Sequence, residues 1–173
     1  MKHLSSAELR NIRRAFRTSK HHKELPEVSL IADKNATALF NVAGMQPLIP
    51  YLMGKEHPLG KRLFDIQKCI RTVDIEEVGD ASHLTCFEMM GNRSLGEYFK
   101  KEAIQWSREF LTDEKYLHMD KTKIAITVFA GDENAPRDEE SALYWKECFD
   151  KAGIPVRISY LPAKNNRRSP GPV

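Results

Sequence analysis

Cysteine is scarce, with Cys69, Cys86 and Cys148 the only three in 173 residues. Three thiols cannot build a disulfide framework, and their use fits a reducing compartment. Nowhere do 18 apolar residues run together, and the opening Met1-Lys2-His3-Leu4-Ser5 lacks the apolar centre of a signal peptide. Membrane-spanning and secreted readings are therefore excluded, and a soluble, cytoplasmic chain is expected. The GxGxxG, GxxxxGK(S/T), HExxH and CxxC signatures are missing as well, so none of those cofactor, phosphate or metal motifs is available. No internal repeat and no convincing domain boundary occurs, which predicts one domain over residues 1–173.

What is present suffices for a packed core, with 41% hydrophobic and 29% charged residues. The net charge of +3 and the pI near 8.7 conceal an asymmetry. Residues 1–23 hold seven basic side chains against Glu8 alone, and the stretch from Arg157 onward has four bases and no acid. Between Glu109 and Asp150 eleven acids face five bases. Basic ends of this kind suit an anion-binding protein, and solvated helix faces account for the same pattern.

Ser5 and Glu8 form a capping box with Leu4 and Leu9 at the staple positions, and Leu9, Ile12 and Phe16 continue at helical spacing. The narrow apolar stripe predicts a surface helix, with Arg10, Arg13, Arg14 and Arg17 around it. Residues 28–45 read as extended segments around a turn at Asp33-Lys34-Asn35, with Ala38–Ala43 buried, and Gln46–Met53 as a short helix entered at Pro47. Leu63–Arg71 alternates: Phe64, Ile66, Lys68 and Ile70 form the mostly core face, while Leu63, Asp65, Gln67, Cys69 and Arg71 form a mostly polar face lining a cleft. Thr85–Met90 returns as a second strand. The intervening Thr72–Leu84 is far longer than a hairpin needs, which points to function. Gly96–Leu111 predicts an amphipathic helix burying Tyr98 or Phe99, Ala103, Ile104, Trp106 and Phe110. Lys123–Phe129 reads as a buried strand. Asp138 caps a helix over Glu139–Ala152 that buries Leu143, Trp145 and Phe149 and stops at Gly153. Val156–Tyr160 is a last strand. The order predicts an α+β fold with antiparallel pairing at its centre.

Chemistry concentrates between Leu63 and Asn92. An arginine closing a cleft-lining strand clamps phosphate bidentately, the acids Asp74, Glu76, Glu77 and Glu88 could hold magnesium or accept from an amine, and Phe87 could stack a purine. An ordinary strand-end salt bridge with Phe87 in the core fits the same residues. Cys69, His83 and Cys86 lack the regular four-ligand spacing of zinc sites. His21-His22 reads as solvent-facing, and Asp132-Glu133 and Asp138-Glu139-Glu140 as loop and helix-start acids.

Four segments go further: Ala38-Leu39-Phe40-Asn41-Val42-Ala43-Gly44-Met45, Gln67-Lys68-Cys69-Ile70-Arg71, Asp74-Ile75-Glu76-Glu77-Val78-Gly79, and Thr85-Cys86-Phe87-Glu88-Met89-Met90-Gly91-Asn92 followed by Gly96-Glu97-Tyr98-Phe99-Lys100-Lys101-Glu102. In this order they closely resemble the N-terminal catalytic domain of the alanyl-tRNA synthetases, which are class II aminoacyl-tRNA synthetases. The resemblance runs to about Asn165. It implies the class II fold, an antiparallel β-sheet flanked by helices, and a two-step reaction. Alanine and ATP give alanyl-adenylate, and the acyl group then passes to tRNA(Ala). By that likeness Arg71 binds the ATP α-phosphate and the alanine carboxylate. Asp74 and His83 belong to the ATP-facing loop, Glu88 to the nucleotide site, and Phe87 packs on adenine. Met45 and Met89 border the alanine pocket. Mg2+ arrives with ATP, and no protein metal site is expected.

The likeness also has gaps. Motifs one and two are matched, whereas motif three, with its second ATP-binding arginine, and the acid that holds the alanine amino group are not. Arg93, Arg108, Arg167 and Arg168 stand where the family usually shows aromatics, and Arg13 and Arg14 lie in a helix that is more apolar in relatives. Arginines on bared surfaces would suit an engineered or reconstructed minimal fragment. The alternatives are a non-catalytic module binding ATP or RNA, with tRNA binding weak or lost, and a self-associating fragment with open sheet edges.

Overall fold

A computed structural model describes residues 3–32, 39–73, 75–154 and 157–166. They fall into two compact units, Leu4–Glu97 and a second from Tyr98 onward.

In the first unit, α1 (Ser6–Ser19) opens on the predicted capping box, where the Glu8 amide donates to Ser5 Oγ at 3.3 Å and the Ser5 amide donates to Glu8 Oε2 at 2.8 Å. A two-residue strand, β1 (Lys23–Glu24), lies parallel to β2 (Arg62–Ile70), which pairs antiparallel with β3 (Cys86–Ser94). The β2–β3 register runs from Arg62↔Ser94 to Ile70↔Cys86, so the central antiparallel pairing is present. Between β1 and β2 a 3-10 turn over Gln46–Leu48 leads into the single-turn helix α2 (Ile49–Leu52).

Burial in this unit departs from the hydropathy reading in four places. The polar face of β2 is the more deeply buried one: Leu63, Asp65, Gln67 and Cys69 are all buried, whereas Lys68 on the other face is exposed. In α1, Arg13 and Arg17 are buried beside Phe16, because Asn92 Oδ1 on β3 accepts from the Nη2 of both, at 3.0 and 2.8 Å. His22, expected in solvent, is 2% exposed. In Leu39–Val42 the reverse holds: Leu39, Phe40 and Val42 are exposed and Asn41 is the buried residue. The turn at Asp33-Lys34-Asn35 lies outside the described residues.

Arg93 and Arg13, read from sequence as solubilising surface residues, are therefore both largely enclosed, with 17% of the Arg93 side chain accessible.

In the second unit, α3 spans Lys100–Thr112, four residues later than expected, after Gly96 with φ +77° and an exposed Phe99. Tyr98 and Ile104 are buried as predicted. β4 (Ala125–Phe129) and β5 (Arg157–Leu161) pair in parallel around α4 (Glu139–Asp150), a β–α–β crossover in a chain whose central strands are antiparallel. Asp138 caps α4, its Oδ1 accepting from the Ser141 amide at 3.1 Å. Phe149 and Ala142 point into the core, while Leu143 is exposed. Ile104, Cys148 and Phe149 form one apolar cluster and Ile126, Val128 and Ala142 another. A four-residue helix, α5 (Ala163–Asn166), ends the described chain, so Arg167 and Arg168 lie outside it.

Candidate functional site

Arg71 follows directly on β2, and its amide donates to Thr85 O at 2.8 Å, so the strand pairing continues through it. Odd-numbered residues of β2 share a face with Phe87 and Met89, since Cys69 pairs with Phe87 and Gln67 with Met89. That alternation brings the Arg71 guanidinium over the Phe87 ring at 5.1 Å. Arg71 Nε donates to Val42 O at 3.0 Å. With Nε fixed and one face on an aromatic ring, the terminal nitrogens project from an exposed side chain, the geometry in which guanidinium takes a phosphate or carboxylate in a bidentate pair.

The Val42 carbonyl is itself held in place. Asn41 O accepts from the Ile70 amide at 3.1 Å, and the Asn41 side chain donates to Ser29 O at 2.6 Å. Gln67, 3% exposed, grips Val28 twice, with Nε2 to Val28 O and the Val28 amide to Oε1 both 2.9 Å. A strap over residues 28–30, a second over 41–42 and the end of β2 thus form one hydrogen-bonded assembly ending on Arg71. Asn41, Val42 and Gln67 were not picked out by sequence reasoning. For Asn41 and Gln67 the signal is a buried amide side chain in an otherwise apolar or strand context, which shows only when the partner backbone is known; Val42 acts through its backbone carbonyl and carries no such mark.

The other expected residues distribute as follows. The Gly44 amide donates to Met89 Sδ at 3.4 Å, which places Met89 beside the segment carrying Met45. Met45 itself is half exposed. Glu88 is on the opposite face of β3 from Phe87 and is bound by Arg10 Nε at 2.7 Å, an ion pair that lowers its carboxyl pKa. It is not brought together with Arg71. His83 is held within its own loop. Asp80 accepts from the His83 and Ser82 amides at 2.7 and 2.9 Å and from His83 Nδ1 at 2.7 Å, and the amide bonds lead in pulling its pKa down to about 2. Asp74 lies outside the described residues. Among those described, no group of three or more His, Cys, Asp or Glu could hold a metal ion. Cys69 is buried, and burial pushes its thiol pKa up.

Comparison with known proteins places the chain in a family. The family "tRNA synthetases class II (A)" matches residues 8–171. The chain belongs to this class II synthetase family. Over 166 residues, 95% of its length, it is 55% identical to an alanine–tRNA ligase of Treponema denticola. It is 53% identical over 160 residues to the alanine–tRNA ligase of Borrelia hermsii, and 46% identical over 167 residues to that of Rubrobacter xylanophilus. The match covers 27%, 26% and 18% of those three proteins, so this class II synthetase chain spans about a quarter or less of the relatives it resembles. Among its described residues no helix is long and apolar enough to cross a membrane.

Proposed function

We propose that the chain binds ATP, as its magnesium complex, together with alanine at the Arg71 end of the β2–β3 pair, and activates alanine to alanyl-adenylate. The observation that carries this reading is the Arg71 guanidinium, fixed at Nε by Val42 O and backed by Phe87, with its terminal nitrogens outward. An alanine carboxylate oxygen attacks the α-phosphorus, a carboxyl–phosphate bond forms, and the bond to the β-phosphate breaks with its electron pair leaving on pyrophosphate. Arg71 offsets the negative charge gathered on the α-phosphate oxygens, in the manner of preorganised electrostatic catalysis. Phe87 offers a face for adenine, Met45 and Met89 border the alanine methyl group, and Asp74 and His83 belong to the loop near the nucleotide. Glu88 serves that site only if it leaves Arg10. The relatives' name, alanine–tRNA ligase, extends the reading to transfer onto tRNA(Ala), and a cytoplasmic setting belongs to the same proposal.

A module that only retains RNA through its basic helix is less well supported, because Arg10 and Arg14 of α1 are each neutralised by a carboxylate, on Glu88 and Glu24. Self-association has support in the exposed Leu39, Met53 and Val73, and sedimentation at rising concentration tests it. Equilibrium binding separates the first two readings. Arg71→Ala weakens Mg·ATP binding at least tenfold and leaves RNA retention unchanged. ATP affinity equal to that of the wild type overturns the proposal.

A further inference from the structure

A turn over residues 41–46 runs from the strap beside β2 to Met45, and a side chain closes it. The Val42 amide donates to Gln46 Oε1 at 3.1 Å. A main-chain N–H only donates, so the Gln46 atom facing it is the amide oxygen. The other end of the same peptide group, Asn41 O, accepts from the Ile70 amide at 3.1 Å. The Asn41–Val42 peptide is therefore bonded at both of its polar groups, by the last residue of β2 and by Gln46. One Cα further on, Val42 O accepts from Arg71 Nε at 3.0 Å.

The far side of the turn is held as well. The Gln46 amide donates to Ala43 O at 3.0 Å, and the Gly44 amide donates to Met89 Sδ at 3.4 Å. The Leu48 amide donates to Met45 O at 2.9 Å, and the Leu48 side chain is buried. From this fixed main chain Gln46 reaches back four residues to an amide on an exposed residue, Val42. Water would serve that amide about as well, so the bond adds little stability. What it adds is a fixed peptide plane, and with it a fixed direction for the next carbonyl. That direction matters at Arg71. The Phe87 ring face beneath the guanidinium tolerates rotation of the cation over it, so the bond at Nε decides which edge points outward.

We propose that Gln46 is a positioning residue for adenylate formation. By holding the Val42 amide it aims Val42 O, which fixes Arg71 Nε and thereby directs the terminal guanidinium nitrogens. The inference rests on the assignment of Arg71 to the α-phosphate and the alanine carboxylate. Met45 is carried by the same turn, so the guanidinium and the residue bordering the alanine methyl share one scaffold.

The test reads the hold and the chemistry separately in the full chain. The Arg71 Nε–H NMR cross-peak, assigned by its absence in Arg71→Ala, reports the bond to Val42 O through its exchange with water. Gln46→Met removes the acceptor at similar length and Gln46→Ala removes it without bulk, and either speeds that exchange about threefold or more. Gln46→Glu keeps an acceptor oxygen and retains the protection. In single-turnover adenylate formation at saturating Mg·ATP and alanine, Gln46→Met slows the reaction about tenfold, the scale of a small misplacement of a reacting contact. In an Arg71→Ala background the same change alters the rate less than about twofold, because nothing is left to position, whereas a merely structural loss would carry over in full. Unchanged Arg71 Nε–H exchange, a tenfold effect that persists without Arg71, or a wild-type rate in Gln46→Met overturns the assignment of Gln46 and leaves the Arg71 reading standing. No adenylate from the folded wild type overturns that reading, and the role of Gln46 in the reaction with it.

Discussion

Replacing Gln67 with methionine keeps most of the side-chain volume and removes three hydrogen bonds, two to Val28 and one to Lys68 O at 2.8 Å. Each such bond contributes about 0.5–1.5 kcal/mol net, and a buried group left without a partner costs about 1–3 kcal/mol. Gln67 is almost wholly enclosed, but Val28 is 36% exposed, so water restores part of the loss on the main-chain side. The expected destabilisation is therefore about 2–3 kcal/mol. With a urea dependence of roughly 2 kcal/mol per molar, the unfolding midpoint drops by about 1 M. Asn41→Ala releases the same strap from Ser29 O, so the two changes should couple. A double-mutant cycle should return an interaction energy of about 0.5–1 kcal/mol. A loss below about 0.5 kcal/mol for Gln67→Met, or strict additivity with Asn41→Ala, would show that the strap is not held by these side chains.

Two other perturbations follow from the same unit. Burial, the largest cause, and then the Arg17 charge lower the His22 imidazole pKa from 6.5 to about 4. The folded chain therefore keeps His22 neutral while the unfolded chain takes up a proton near pH 6.5. This contribution is fully present above that pH and is lost as pH falls toward 4, by roughly 2–3 kcal/mol. His22→Leu should flatten the difference in urea midpoints between pH 7 and 4, and an unchanged slope would refute it. At Gly91 an added methyl overlaps both the Asp65 carboxylate and the Arg93 guanidinium, so Gly91→Ala should cost about 1–3 kcal/mol in urea unfolding. Asp65→Ser in the same background relieves one of the two overlaps and should recover part of that, and simple addition of the two losses would contradict this packing.

Local signals were legible from the residues alone. The Ser5–Glu8 box, the Asp138 cap and the alternation of Leu63–Arg71 each depend on neighbours within a few positions or on strand periodicity. Arg71 and Phe87 stood out for the same reason, one at a strand end and the other on the returning strand. Period-two alternation defines two faces without saying which one is buried. On β2 the answer depended on Val28, 39 residues away, which satisfies Gln67 and lets a polar face go inside. Arg13 and Arg17 follow the same rule, since their burial requires Asn92, more than 70 residues along the chain. The parallel pairing of β4 with β5 and the hold of Val42 O on Arg71 are likewise long-range choices with no local mark.

The most direct measurement is alanine-dependent adenylate formation from Mg·ATP under single-turnover conditions, with Arg71→Ala alongside. A preorganised charged contact to the reacting centre is worth about 3–4 kcal/mol, or two to three decades in rate. The account predicts adenylate that requires alanine and forms at least a hundredfold more slowly in the variant, while both proteins unfold cooperatively. Adenylate formed equally fast without Arg71, or no adenylate from the cooperatively folded wild type, would contradict it.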